Sequence, residues 1–408
     1  MISRAVRLWG IALWLGAIGL VLTGCWDMRS ASQYVIVSSM SVTTGEHANY
    51  HVYLQVINSL EFTSSKGKGN APTLTFDAEG NTMDEVFSRI EQKTSRELEL
   101  SHMMLLIMDS KLLATDHGLL FIEFLETMKD IRNDIQLVAA HKVPASEFAK
   151  LYFPDTQVSA VKIRFAIDSV DNNWGESPDT TLKQFIGDIT SEGRQPVMSS
   201  ITIDQPSKKS HTVEVGKSVD TQTEIVTDGT AVLRRGRLIG FLDTEETRNM
   251  KWVEDKIKHT SLSIPCQKEH FVQVRIDRSK TRLNVEYANN RPKVTIQIDV
   301  DGKISENQCS TIRLSKLSGY DQVRKLTEKE IKSQVEETIA KVQKNYGVDI
   351  FGFGEQLKRN HYQTFKKVRS HWDDEFVKAD VTVKVKAEIF RDGMTSDNFL
   401  QDIPGYTQ

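Results

Sequence analysis

The chain has 408 residues, with 52 lysines and arginines against 55 aspartates and glutamates, for a net charge of −3 at neutral pH. That length is too great for one ordinary domain and suffices for two or three. The mild negative charge speaks against a nucleic-acid binder, which would carry a basic patch, and the 26% charged fraction is that of an ordinary globular protein.

At the N-terminus, Arg4 and Arg7 precede Leu8–Leu22, a run that is almost wholly apolar. A basic head followed by a short apolar run is the pattern of a secretory signal. The run is shorter than the roughly 20 residues that a membrane-spanning helix needs. Leu22-Thr23-Gly24-Cys25 then matches the lipobox of bacterial lipoproteins, in which a lipid such as palmitate is joined to the cysteine and the peptide is cut just before it. Residues 1–24 are therefore expected to be removed, with Cys25 as the lipid attachment site. Their loss takes away two arginines and no acids, so the net charge moves from −3 to −5. Each buried CH₂ of an acyl chain contributes about 0.8 kcal/mol, so two or more chains hold a protein firmly on a bilayer. No later apolar run is long enough to span one. The two other cysteines, Cys266 and Cys309, are compatible with a disulfide or with two buried thiols, and no CxxC pair suggests zinc.

Residues 26–70 read as mostly extended, with Val52, Leu54 and Val56 on one face of a strand. The stretch 63–72, with Lys66, Lys68 and several small residues, reads as a solvated loop. Thr82-Met83-Asp84-Glu85 is a capping-box sequence. It opens a helix whose Met83, Val86, Phe87 and Ile90 recur at helical spacing. "LELSHMMLLIM" reads as a buried strand, "GLLFIEFLETMKD" as a second helix and "IQLVAAHKV" as a second strand, with Pro144 opening a short helix. This alternation predicts an α/β layer. Residues 155–180 read as irregular. Thr181 caps a helix carrying Leu182, Phe185, Ile186 and Ile189, with Gly193 suited to its C-terminal stop.

The polar stretch 204–223 reads as a boundary or a long surface loop. Residues 229–243 then form a hairpin turning at Arg235-Gly236, and "TEETRNMKWVED" a short helix. Three alternating runs follow: Val272/Val274/Ile276, Leu283/Val285/Tyr287 and Val294/Ile296/Ile298/Val300. The turn signals Asn289-Asn290 and Asp301-Gly302 make them an antiparallel meander. Two long helices are expected next. The first is opened by a capping box at Thr327–Glu330, and the second carries Leu357, Phe365, Val368, Trp372 and Phe376. The last strand alternates Val381, Val383, Val385, Ala387 and Ile389 with Thr382, Lys384, Lys386 and Glu388. The fold class expected is α+β, a multidomain mixed α/β chain divided as 25–203, a hairpin-containing 204–262, and 263–408.

Chemistry is sparse. Gly352-Phe353-Gly354 lacks the third glycine of GxGxxG and any GK[ST], so it fails both nucleotide templates. It reads as a glycine turn between helices, capped or braced by Asp349. His102 reads as a satisfied core or edge histidine at the start of a strand. There is no GxSxG and no lipase-like or protease-like signature. Arg96, Lys129, Asp130 and Arg132 read as a solvated face. The sequence offers no case for an enzyme and no cofactor.

The motifs resemble, in order, those of the Ger(x)C family, the spore germination lipoproteins that form the C subunit of nutrient germinant receptors. Cys25-Trp26-Asp27 is similar to the start of the mature family chain. Arg96-x-Leu98-x-x-x-His102 and its following strand, Leu238-x-Gly240-x-Leu242, Asp349-x-x-Gly352-x-Gly354 with Trp372, and the closing strand with Arg391 and Gly393 resemble the family's later motifs. One departure is Thr230, where the family tends to have leucine. The resemblance implies a three-domain α/β fold and no catalysis. It implies a lipoprotein on the outer face of the spore inner membrane, with membrane-embedded A and B subunits as partners and the small-molecule nutrient bound mainly by those subunits. The alternative is a substrate-binding lipoprotein of a transporter. Its paired, repeated βα lobes do not match the meander and the single closing strand.

Overall fold

The computed structural model describes residues 9–10, 14, 33–62, 70–206, 208–217 and 223–390. Cys25, the Trp26-Asp27 pair, the lysines at 66 and 68, and Arg391 and Gly393 lie outside the described residues. Among the described residues no helix is long and apolar enough to cross a membrane.

Two sheets organise the chain. The first contains β1 (Tyr34–Thr43), β2 (Tyr50–Ile57), β3 (Thr73–Gly80), β4 (Glu97–Glu99), β5 (Leu105–Asp109), β6 (Gln136–Ala140), β7 (Val197–Asp204), β8 (Glu224–Arg234) and β9 (Arg237–Leu242). Its order is β3-β2-β1-β5-β6-β7-β8-β9, with the short β4 beside β1. The centre is parallel from β1 through β5 and β6 to β7, while the two ends are antiparallel hairpins. The central strands are buried on both faces and so read as continuous apolar runs rather than alternating ones.

Helices α1 (Met83–Thr94), α2 (Asp116–Thr127), α3 (Ala145–Phe148), α4 (Ser159–Asn173) and α5 (Leu182–Thr190) cover this sheet. Val86, Phe121 and Phe185 of α1, α2 and α5 pack on Leu106, Met108, Leu137 and Ala139. Phe148, Ile163 and Ile167 of α3 and α4 pack on Leu105, Ile107 and Val138 on the opposite face.

Helix α4 corrects the reading of 155–180 as irregular. Its apolar stripe is the narrow Ala160-Ile163-Ile167, and Val158 before it makes no side-chain cap, so periodicity and start signal were both weak. At α1 the Thr82 hydroxyl accepts the Glu85 N–H as expected, but the Glu85 carboxylate accepts from Asn81 rather than Thr82. The reciprocal box is complete at Thr181 and Gln184. His102, read as a satisfied core or edge histidine, is exposed in the turn between β4 and β5, with Ser101 Oγ 3.1 Å from its Nδ1.

The second sheet is β10 (Thr260–Gln267), β11 (His270–Ala288), β12 (Arg291–Asn307) and β13 (Asp380–Phe390) in that order, with β13 parallel to β12 and the others antiparallel. Among its described residues, the segment 204–262 carries no sheet of its own. Strands β8 and β9 complete the first sheet, and β10 opens the second. Between them runs α6 (Thr244–Val253). One face of the second sheet buries Val274, Ile296 and Val383 against α7 (Leu317–Lys341) and the short helices α8 (Phe353–Asn360), α9 (Tyr362–Val368) and α10 (Trp372–Val377). Cys266 and Cys309 form a disulfide with Cα atoms 6.3 Å apart.

The two long helices expected here become one long helix and three short ones. Thr327 does not start a helix, because α7 already runs through it from Leu317 and its buried hydroxyl donates to the Val323 carbonyl one turn back. The second breaks at His361 and again at Arg369–His371. Its apolar residues Leu357, Phe365, Trp372 and Phe376 are buried all the same, so the reading of which residues face the core holds.

Candidate functional site: the junction between the two sheets

The junction is built around Asp349. A one-turn π-helix, Val342–Tyr346, ends α7, and Gly347 takes the left-handed conformation at φ +59° to turn the chain. Asp349 then points inward and is fully buried. Its Oδ1 accepts the N–H groups of Phe351 at 3.1 Å and Gly352 at 2.8 Å. Its Oδ2 accepts the Gly354 N–H at 2.8 Å and the Trp372 indole N–H at 2.9 Å. One carboxylate thus satisfies four donors and ties the turn before α8 to the start of α10. Burial pushes its pKa up to about 6, against the lowering effect of those donors.

This knot touches the first sheet. The Asp349 carbonyl accepts the Gln195 N–H at 2.7 Å. Gly193 lies against Gly354 so closely that a methyl group on it would sit 2.6 Å from the Gly354 carbonyl carbon. Gly193 is therefore not the helix stop expected of it. Helix α5 ends at Ser191 in extended backbone, and Gly193 makes room for the other unit. Gly352 is the residue that needs left-handed backbone, at φ +81°. Gly240 on β9 plays the same part toward Tyr346: a Cβ there would lie 2.4 Å from the tyrosine ring, whose hydroxyl donates to the Phe241 carbonyl at 2.7 Å.

Helix α6 runs between the two units and is buried on every side from Thr247 to Val253, although that stretch carries Arg248, Asn249 and Lys251. Thr247 and Thr230 hydroxyls are 2.8 Å apart on the side of the first sheet. Arg248 pairs with Glu176 at 3.2 Å, and Lys251 with Asp171 at the end of α4. On the other side, Asn249 donates to the Thr338 hydroxyl at 3.0 Å, and Lys341 of α7 pairs with Glu246. Arg194 adds ion pairs to Glu254 and, at 3.5 Å, to Asp188. Burial raises the pKa values of Glu176 and Asp188 and lowers that of Lys251, and in each case the paired charge opposes the shift.

Sequence reasoning named Asp349, Gly352 and Gly354, and the structure joins them in one knot. It missed α6. The available signal was a short helix with polar residues around its whole circumference, a pattern found where a helix bridges two units. Among the described residues no group of three or more His, Cys, Asp or Glu is arranged to hold a metal ion. The arrangement is one of rigid attachment: close backbone contacts and neutralised buried charges.

Two family models match the chain in order. "Spore germination protein N-terminal domain" covers residues 27–203, and "Spore germination B3/GerAC like, C-terminal" covers residues 228–393. The chain belongs to the GerAC/B3-like spore germination family, the Ger(x)C family. Among its Ger(x)C relatives, "Spore germination protein KC" of Bacillus subtilis (strain 168) is 26% identical over 91% of this chain and 92% of its own. "Spore germination protein B3" of the same organism is 22% identical over 92% and 95%. The crystal structure of the GerBC protein shares the fold, with a TM-score of 0.55 at 16% identity over 86% of this chain and 96% of its own. Gly240, Gly352 and Gly354 all lie at the junction described above.

Proposed function

We propose that this chain is the lipid-anchored C subunit of a nutrient germinant receptor, held by Cys25 on the outer face of the spore inner membrane. Its work is assembly and signalling rather than catalysis. It packs on two membrane-embedded subunits, A and B, which bind the nutrient. The observation that carries this reading is the ordered pair of germination-family matches across nearly the whole chain after the lipobox. In this reading Asp349, Gly352 and Gly354 are structural. They fix the second sheet to the first, so that a displacement imposed on one unit is passed to the other. Neutral buried pairs and close backbone contacts suit such a rigid body, because packed interiors shift as units rather than deform.

The test is isolation of the tagged chain from spore membranes. The wild-type chain carries lipid label and brings down two polytopic membrane proteins. The Cys25→Ala chain stays as an unlipidated precursor and recovers less of both. Normal lipid labelling of Cys25→Ala refutes the anchor, and recovery of the wild-type chain without membrane partners refutes the assembly role.

A further inference from the structure

At the carboxyl ends of β5 and β6 the chain leaves the first sheet toward opposite faces, with no reversal of strand order. The chain leaving β5 passes to the face where Leu112, Leu113 and Phe121 pack. The chain leaving the adjacent parallel strand β6 passes to the opposite face, where Ala145 and Phe148 pack. When neighbouring parallel strands send their connections to opposite faces, a crevice opens outside their carboxyl ends, and open α/β sheets bind ligands there. This sheet has such a crevice. A cavity of about 460 Å³ lies at the ends of β1, β5 and β6, bounded by Thr43, Thr44, Ser110, Lys111, Lys142 and Ser146. Its size is that of a small-molecule site.

The charges of the crevice are unequally engaged. The Asp109 carboxylate is spent on the protein, accepting the Lys111 N–H at 2.9 Å and the Ala145 N–H at 3.2 Å. The Ser110 hydroxyl is spent on the Ala140 carbonyl. Lys111 is exposed and has no ion-pair partner among the described residues. Lys142 shares Asp228 with His141, at 2.8 and 2.6 Å. Lys142 also sits at φ +65°, in left-handed backbone that disfavours a side chain. Left-handed backbone at a residue other than glycine is uncommon, and such positions gather at tight turns and binding sites.

We infer that this crevice binds a small organic anion, a carboxylate or phosphate ester, between the Lys111 and Lys142 ammonium groups. The site is separate from the junction and does not depend on the receptor reading.

The test is calorimetric titration of the full chain with succinate, inorganic phosphate and the neutral isostere succinamide. At least one anion is expected to bind saturably with 1:1 stoichiometry, and the neutral isostere is not. Lys111→Gln and Lys142→Gly each weaken binding about tenfold or more, the scale of one lost charge-assisted hydrogen bond. Lys142→Gly relieves the backbone, so its melting temperature without ligand stays level or rises, which separates lost binding from lost folding. Lys325→Gln, on α7, leaves binding unchanged. Absence of saturable binding by both anions overturns the proposal. So does equal binding of succinamide, or undiminished binding in both crevice variants.

Discussion

Gly193 and Gly354 meet backbone to backbone: a Cβ built on either would lie 2.6 Å from an atom of the other. Gly193 lies in the connection leading into β7 of the first sheet, and Gly354 in the first turn of α8, which packs on the second. A methyl group has no flexible side chain to push aside here, so the backbones themselves must separate. Gly193→Ala and Gly354→Ala are each expected to lower stability in urea unfolding by about 1–3 kcal/mol, the usual cost of overpacking. Gly352, at φ +81°, has room around its Cβ, with the nearest atoms at 3.4 Å. Asn is therefore expected to replace it at lower cost than Ala, since Asn tolerates left-handed backbone. Equal tolerance of Ala at all three sites contradicts this account.

Asp349 gives the junction a pH dependence. Its carboxyl, ordinarily near 3.8, is pushed up to about 6 by burial. The folded chain therefore holds this proton more tightly than the unfolded chain does. The resulting stabilisation is full below about pH 3.8 and is lost as pH rises through 6, a change on the order of 3 kcal/mol. Asp349→Asn removes that titration, so the variant lacks the decline that the wild type shows between those values. It is also expected to be less stable at neutral pH by about 2 kcal/mol, because its NH₂ group faces N–H donors that the carboxylate accepted. Urea unfolding across a pH series measures both, and identical slopes for the two chains refute the assignment.

Lys251 is the most deeply buried charge on α6, with its side chain 2% exposed beside an Asp171 that is 14% exposed. Lys251→Met leaves Asp171 without its partner and is expected to cost about 3–5 kcal/mol. Adding Asp171→Leu replaces the pair with apolar groups and is expected to recover most of that loss. A double variant as unstable as the single one contradicts the reading of a neutralised buried pair.

Much of this fold is legible in the sequence where periodicity is strong. The stripe Met83-Val86-Phe87-Ile90, the hairpin turn at Arg235-Gly236 and the alternation of β13 all match the elements they suggest. Legibility fails where tertiary packing overrides local signals. Thr327 carries a capping sequence but is back-bonded inside a continuous helix, and Ala160-Ile163-Ile167 is too narrow a stripe to stand out. Gly193 reads as a helix stop because a close approach between units leaves no trace in local sequence. Asp349, Gly352 and Gly354 were legible as a turn, yet the role of Trp372 as the fourth donor depends on a fold that brings a later helix back to the knot.

The central claim is tested most directly by germination of spores from a strain lacking this gene. Dipicolinate release is followed after nutrient mixtures and after a trigger that bypasses the receptors. The account predicts that release in response to a particular nutrient is lost while the bypass response is kept, and that restoring the wild-type gene, but not the Cys25→Ala form, restores it in full. Unchanged release to every nutrient, in a strain that also lacks the other genes of this family, contradicts it. A defect confined to nutrient uptake in growing cells would instead place the chain with a transporter.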